Sequence, residues 1–401
     1  MEWRGQKYAK LSPRPRWLYT RKVLMKITKV ETFLVRWGDV SRPAEPVLGS
    51  TSATAVVAIH ADGMVGLGEA SPMQGGVASL QVIARDMAPA LIGAEVLDHA
   101  VTLDRLLHKL IKLGPDGIVT GALAAVDIAL WDLKGKAFGQ PIHKLLGGAW
   151  RTRIPFYASI GGNAARDVDG VLRTVEARFK AEQPSAIKIR WDGTRGEIDR
   201  DIAGDIAKAR AVRKLVGDGF PLAFDANNRY SVGAAIRVGR VLEELGFAWF
   251  EEPVESYHVK AMGEVAQRLD ITVSAGEQSY TLQSVAALIE SGVRMVQPDI
   301  VKMGGVTGLM QCAALCHAHG VEFVPHQTQP AIGNAANLHV LSTVMQATRP
   351  AELADGWARA ADTFVNAPKP DGGCLVVPDG PGLGLAVDEA MLSRRRVDVT
   401  A

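Results

Sequence analysis

A parallel α/β barrel preceded by a smaller α+β unit is the fold this sequence predicts. Two observations carry the prediction. From about residue 154 onward, a short apolar run followed by an amphipathic helical stretch recurs roughly every 20–35 residues. Strands alternating with helices in this way form a parallel sheet. Before that point the order differs: three strand-like segments come first and helical patterns follow, an α+β arrangement. At 401 residues the chain also exceeds what one hydrophobic core usually organises, so two units are expected.

Residues 26–37 alternate apolar and polar positions, with Ile27, Val30, Phe33 and Val35 on the strand. A Pro/Gly/Ser-rich loop at 38–52 leads to a second strand at 53–59, and the Asp62-Gly63 turn to a third at 65–70. Helical patterns then cover 77–93, 98–112 and 119–137; the last carries Leu123, Val126, Leu130 and Leu133 on one stripe. In the second unit, strands are expected at 155–160, 185–190, 221–227, 247–253, 272–277, 295–300, 322–327 and 351–354. Helical stretches such as 204–215, 232–245 and 307–319 lie between them. About eight such units suit a closed barrel better than an open sheet. The tail, 370–400, has turns at Gly372-Gly373 and 378–382 and no further repeat, and is expected to return to the first unit. The divisions are therefore a basic extension at 1–25, the α+β unit at 26–150, the barrel at 151–360 and a returning segment at 361–401.

Composition excludes several function classes. Hydrophobic residues make up 47% and charged residues 22%, an ordinary soluble globular balance. A formal net charge of +2 gives no electrostatic basis for a nucleic-acid partner or an anionic membrane. No apolar run approaches the roughly 18 residues of a membrane span. The start is locally basic: Arg4, Lys7, Lys10, Arg14, Arg16, Arg21, Lys22 and Lys26 stand against one acid, Glu2. Pro13 and Pro15 break any long amphipathic helix there, and no apolar leader follows, so this reads as a dispensable, disordered extension rather than a targeting peptide. Cys312, Cys316 and Cys374 are the only cysteines. Two of them four apart beside His317 make no zinc site, and such sparse usage fits a cytoplasmic protein.

Chemistry concentrates at the strand ends. Asp225 follows Ala223-Phe224, Glu251 follows Trp249-Phe250, and Glu277 follows Ala275-Gly276, in two equal steps of 26 residues. Equal steps place them at equivalent points on consecutive units, and strand C-termini of a parallel barrel converge on one face. Any one of these acids could be a helix cap or a solvated loop charge. Three at matched spacing, each ending an apolar run, point to a shared site. Such a trio repels itself unless a cation sits among it, and an all-oxygen donor set suits a hard ion, Mg²⁺ before others. Lys188 and Arg190 end the second barrel strand and alternate onto one face, as two cations facing an anion would. His326 ends the seventh strand; Asp299, one strand back, can accept a hydrogen bond from one ring nitrogen and raise its basicity. Glu352, on the eighth strand, is a further acid for the same mouth.

These motifs, taken together, resemble the mandelate racemase group of the enolase superfamily. The resemblance rests on Lys188-Ile189-Arg190, Asp225-Ala226-Asn227, Glu251-Glu252-Pro253, Gly276-Glu277, the Asp299 to Gly305 run with Lys302-Met303-Gly304-Gly305, and His326. It rests also on Ala129-Leu130-Trp131-Asp132-Leu133-Lys134-Gly135 with Leu145-Leu146-Gly147-Gly148, and it covers essentially all of 26–390. It implies a modified TIM barrel, (β/α)7β, with an N-terminal α+β capping domain completed by the C-terminal tail. It implies Mg²⁺ on Asp225, Glu251 and Glu277, a His326–Asp299 base pair, and Lys188 with Arg190 opposite. Asn227 would contact a substrate hydroxyl and Glu352 the substrate carboxylate. The 38–52 loop and the region near Ser71-Pro72-Met73 would close over a small-molecule carboxylate and select it. Relatives assemble as homo-oligomers from dimers to octamers.

One position departs from the pattern. The group usually carries Lys-x-Lys, whose second Lys is a base facing the His from across the substrate; here it is Arg190. A guanidinium is a poor proton acceptor near neutrality. Racemisation needs an acid/base on each face, whereas His326 alone can serve a syn elimination. The sequence therefore favours a Mg²⁺-dependent lyase that dehydrates a sugar acid, an aldonate or aldarate, to a 2-keto-3-deoxy acid. A racemase or epimerase of a 2-hydroxy acid is second. Muconate cycloisomerase and dipeptide epimerase groups carry a Lys where Asp299 stands. A non-catalytic sugar-acid-binding scaffold would leave the acids and the dyad without purpose, and a Schiff-base aldolase using Lys188 would leave the acid trio unexplained.

Overall fold

The computed structural model describes residues 25–37, 53–71, 76–191 and 197–399. The extension expected at 1–25, apart from Met25, lies outside the described residues, as do the 38–52 loop and Pro72-Met73.

The first unit is a four-stranded antiparallel sheet packed on helices. Strands β1 (Ile27–Arg36), β2 (Ala53–Ala61) and β3 (Met64–Ala70) follow one another by hairpin pairing, and the sheet's other edge is supplied by the C-terminal tail. That tail strand, Arg396–Asp398, pairs antiparallel with β1, so the chain's end does return to the cap. The helical pattern read across 77–93 is interrupted. It divides into Gly76–Val82, a π-helical turn Ile83–Met87 and Ala88–Leu91. Pro89 lies in the first turn of the last piece. A proline inside a helix removes one N–H and crowds the preceding turn, and a π-turn absorbs the misfit.

Helix Ile118–Phe138 joins the two units. Its sequence shows one apolar stripe, but most of its residues are buried, because it packs on one face of the cap sheet and also against barrel helix Gly305–Ala318. Glycine lets it approach so closely. A Cβ on Gly68 would stand 1.8 Å from the Ala125 carbonyl oxygen, and one on Gly66 2.1 Å from that of Ala129. The other side of the helix is fastened by polar side chains. Asp127 accepts from the Thr307 amide (3.0 Å) and hydroxyl (2.5 Å) at the start of barrel helix Gly305–Ala318. Trp131 Nε1 donates to the same hydroxyl at 2.9 Å. Asp132 accepts from the Leu67 and Leu383 amides, both at 2.9 Å, and so ties the cap sheet to the tail.

Eight parallel strands form the second unit: β4 (Arg153–Ile160), β5 (Ala186–Arg190), β6 (Leu222–Asp225), β7 (Trp249–Glu251), β8 (Thr272–Ala275), β9 (Met295–Val296), β10 (Glu322–Phe323) and β11 (Ala351–Ala354). Pairing runs from β11 through β4 round to β10. Among the described residues, seven α-helices fill the intervals between them, giving the (β/α)7β order. Tyr157, Ala186, Ala223, Trp249, Met295 and Val324 fill the interior as an apolar plug. Several strands stop short of the apolar runs read in the sequence. Asn227, Asn228 and Glu252 take positive φ (47°, 66° and 38°), and Gly276 reaches 126°. The chain leaves the ladder where its polar residues turn over the barrel mouth. Among the described residues, no helix is long and apolar enough to cross a membrane.

Candidate active site

Lys188, Asp225, Glu251, Glu277, Asp299, His326 and Glu352 come together over the plug, at the C-terminal ends of β5 to β11. The ladder sets this arrangement. Arg190 pairs with Asp225 and Asp225 with Glu251 in parallel register, and Asp299 forms an isolated bridge with His326. Strand alternation turns Lys188 inward, where it is fully buried.

Lys188 Nζ lies 2.7 Å from Glu251 Oε1, 2.9 Å from Glu352 Oε1 and 3.6 Å from Asp225 Oδ2, with the Tyr157 ring centroid 5.4 Å away. Burial disfavours the charged ammonium. The charges of Glu251 and Glu352 outweigh burial and raise Lys188 well above the usual lysine range. Glu352 is the complement: burial pushes it up, but Lys188 and His326 hold it at about 2, and its other oxygen accepts from the Gln327 amide at 2.9 Å. As an anion Glu352 cannot donate, so the hydrogen bond to a substrate carboxylate implied by the resemblance would require it to gain a proton.

His326 occupies the opposite side of the mouth. Its Nδ1 meets Asp299 Oδ2 at 2.8 Å, and its Nε2 meets Glu277 Oε2 at 3.1 Å. Both ring nitrogens are thus engaged by acids, Nδ1 by Asp299 and Nε2 by Glu277. Burial disfavours a charged ring, but Glu277, Glu352 and Asp299 overcome it and lift His326 to about 9. Glu277, raised by burial, is brought down to about 2 by His326, Lys302 and Lys188.

The donor chemistry of the three strand-end acids can be tested against a metal ion. Asp225 is pushed well above the usual carboxylate range by burial and then by the charge of Glu251, with Glu277 adding to it. Crowded, buried, all-oxygen acids of this kind are what a hard dication relieves. Each is currently engaged elsewhere. Glu251 Oε2 accepts from Gln297 Nε2 (2.8 Å) and Trp249 Nε1 (3.2 Å), and Glu277 Oε1 from Gln278 Nε2 (2.8 Å). Among the described residues no three His, Cys, Asp or Glu side chains already stand as a closed ligand set. The residue types fit the ion.

Two further candidates lie at the rim. Arg190 Nη1 reaches Ser159 Oγ at 3.5 Å, and its charge favours ionised Asp225. Asn227 donates its backbone amide to Asp225 Oδ1 (2.8 Å) and its side-chain amide to Oδ2 (3.3 Å), so it holds that acid in place.

Comparison with known proteins gives the family. The "Enolase C-terminal domain-like" family matches residues 170–391, and the "Mandelate racemase / muconate lactonizing enzyme, N-terminal domain" family matches 29–147. The chain belongs to the mandelate racemase/muconate lactonizing enzyme family of the enolase superfamily. A crystal structure of a mandelate racemase/muconate lactonizing protein from Paracoccus denitrificans PD1222, complexed with magnesium, is 65% identical with a TM-score of 0.89; the match covers 94% of this chain and 99% of that one. The D-galactarolactone cycloisomerase of Agrobacterium fabrum is 31% identical over 93% of this chain and 99% of its own. The arabinonate dehydratase of Saccharolobus solfataricus is 29% identical over 82% and 87%. The protein is thus an enzyme of this superfamily.

Several members of the site escape a sequence reading. Tyr157 underlies Lys188, Gln297 supports Glu251, and Gln329 Nε2 donates to Asp299 Oδ2 at 3.4 Å. Lys302 Nζ stands 4.0 Å from the same oxygen. Glu252, buried beside the acid trio, is pushed well above the usual range by burial and then by Glu277, and accepts from Asn228 Nδ2 at 2.6 Å. Strand alternation could have turned Tyr157 inward with Lys188, and Glu252 and Lys302 stand within the Glu251-Glu252-Pro253 and Lys302-Met303-Gly304-Gly305 motifs; nothing local signals Gln297 or Gln329.

Proposed function

We propose that the protein is a Mg²⁺-dependent lyase that removes the proton next to the carboxylate of a sugar acid and expels the β-hydroxyl as water, yielding a 2-keto-3-deoxy acid. One observation carries the reading. His326 is held through Nδ1 by Asp299 and meets Glu277 through Nε2, and the acid cluster around it holds a buried ammonium, Lys188, with an arginine, Arg190, in place of a second base. The metal's binding to Asp225, Glu251 and Glu277 would supply positive charge to the substrate carboxylate.

The residues of this chain divide the remaining work. Glu277, the neighbour that most favours a charged His326, would be engaged by the ion, which would leave a neutral ring to take the α-proton at Nε2; the electron pair moves into the carboxylate as an enediolate. Lys188, held charged by its neighbours, stabilises charge that develops only in the transition state. His326 then returns its proton to the β-oxygen, which leaves as water, and the enol takes up a solvent proton to become the ketone. Arg190 grips an anionic or hydroxyl-bearing part of the substrate. The dehydratases among the relatives support this reaction, and the magnesium-bound Paracoccus structure supports the ion.

A second reading has its own support in the cycloisomerase relative, which aligns along nearly all of the chain. In that reading the β-oxygen that leaves would be a ring oxygen, so the product would keep the substrate's mass. A panel of acid sugars and their lactones, incubated with Mg²⁺ and with EDTA, separates the outcomes. A 2-keto product one water lighter supports dehydration, a ring-opened isomer supports the second reading, and inverted configuration with no keto product sinks both. His326→Asn should lower turnover on the order of 10²- to 10⁴-fold while Mg²⁺ binding persists. An active His326→Asn enzyme would remove the base assignment.

We further place the enzyme in the cytosol as a homo-oligomer. Free Cys312, Cys316 and Cys374 fit a reducing compartment, and exposed Leu113, Trp150 and Tyr257 offer apolar surface to a second copy. A monomer in sedimentation velocity would remove the oligomer.

A further inference from the structure

Glu69 is a fully buried carboxylate on the cap strand β3. Gly66 and Gly68 press that strand against helix Ile118–Phe138, so alternation turns Glu69 the other way, toward the barrel. There its Oε2 accepts the Gly333 backbone amide at 2.8 Å. Gly333 is in the first turn of barrel helix Ile332–Thr343, whose own N-cap residue, Ala331, has no side chain able to cap it. The first turn of a helix has N–H groups without intrahelical partners, and a carboxylate is a favourable acceptor for them. Glu69 thus caps this helix from a different domain. Its Oε1 has no hydrogen-bond partner among the described residues.

The capped turn leads back to the base. A Cβ on Gly333 would stand 2.9 Å from Gln329 Cβ, so the two residues are packed together. Gln329 donates to Asp299 Oδ2, the oxygen that also holds His326 Nδ1. The segment from His326 to Gly333 is therefore fixed at one end by the barrel strand and at the other by a cap residue. We propose that Glu69 is a positioning residue for the His326–Asp299 pair, which makes correct seating of the cap a condition for an aligned base. Burial, together with the nearby charge of Asp299, pushes Glu69 up to about 8, against the Gly333 amide, so a neutral side chain can take its place.

The inference rests on His326 being the base, so its test includes a readout that needs no substrate. Glu69→Ala, Glu69→Gln and Gln329→Met are compared with the intact protein. The low-field Nδ1–H proton resonance of His326, assigned by its loss in His326→Asn, should shift or broaden in Glu69→Ala and Gln329→Met and return in Glu69→Gln. With an accepted acid sugar, Glu69→Ala should lower kcat on the order of 10- to 100-fold, since small misplacements of a catalytic group are that costly. KM should stay within about twofold and Glu69→Gln should recover most of kcat. If Glu69→Ala does not fold, Gln329→Met and Glu69→Gln still decide the matter. An unchanged His326 resonance in Gln329→Met, or a Glu69→Gln enzyme that loses both signal and kcat, overturns the proposal. Absence of turnover with every sugar tried, alongside a shifted resonance, would overturn the functional reading and leave the positioning role standing.

Discussion

At the scale of single residues, the division of labour between Lys188 and Arg190 follows from where alternation puts them. Lys188 faces inward between three carboxylates; Arg190 lies a step higher, near Ser159 and the charge of Asp225. Arg190→Lys tests the consequence. A lysine keeps the charge, gives up the planar fork and can exchange a proton. KM should rise by about tenfold, the equivalent of one lost charge-assisted hydrogen bond. In D₂O the variant should also wash deuterium into the α-position from the face opposite His326, which proton NMR reads directly. A variant with wild-type KM and no such exchange would remove the clamp role. Asp225 and Glu251 were legible in the sequence because each ends an apolar run, and the two do pair in register; the equal step to Glu277 did not mean equal height, since Glu251 pairs with Ser274 and Glu277 lies beyond the strand, past the Gly276 turn. Glu69 was not legible in its role: its partner Gly333 is 264 residues away, and no local pattern records a contact across that distance.

Among the elements, strand identity was easier to read than strand length. An apolar run marks what is buried, but the ladder ends where the backbone must turn outward, as at Asn227 and Glu252 with their positive φ. At 295–300 and 322–327 the continuous ladder is two residues long for another reason: Pro298 and Pro325 bring no N–H to it, and pairing resumes only as the single Asp299–His326 bridge. A second property of the elements concerns pH. Helix Ile332–Thr343 carries buried His339, which stacks on His143 of the short helix Ile142–Leu145, with ring centroids 5.4 Å apart. His339 Nε2 meets the Leu383 carbonyl at 3.3 Å, so Nε2 is the donor and Nδ1 must accept from the His143 amide and ring. A second proton on His339 would occupy that acceptor. Burial lowers His339 to about 3, against the Leu383 carbonyl and with the help of His143. The unfolded ring protonates near 6.5 while the folded one does not, so the unfolded state binds more protons and stability falls as pH drops from about 6.5 toward 3. Asp127 acts in the opposite sense. Burial raises it to about 7 against its Thr307 bonds, so the native state keeps a proton the unfolded chain has released, and stability falls as pH rises from about 4 to 7. His339→Gln should flatten the acid side of a Tm-against-pH curve, and Asp127→Asn the neutral side. Parallel curves for His339→Gln and the parent would rule out the histidine's part.

For the whole molecule, the decisive feature is that cap, barrel and tail share buried polar fastenings instead of merely touching. Asp132 shows how much hangs on one side chain. It is buried in helix Ile118–Phe138, receives Leu67 of the cap sheet on one oxygen and Leu383 of the tail on the other, and pairs with Lys136 at 2.7 Å. Removing it leaves two buried backbone amides without acceptors, at about 1–3 kcal/mol each. Asp132→Ala should therefore lower stability by about 2–6 kcal/mol, and Asp132→Asn, which keeps one carbonyl acceptor, by roughly half as much. The loss should also change the shape of unfolding. With Leu67 of the cap sheet and Leu383 of the tail both released from helix Ile118–Phe138, the cap loses its polar tie to that helix and should melt ahead of the barrel in calorimetry. Activity should decline before the barrel unfolds, because Glu69 leaves Gly333 when the cap does. A single unshifted transition in Asp132→Ala, with turnover retained up to the parent's Tm, would mean that the cap is held by its apolar contacts alone and that the polar joint has no part in keeping the base aligned.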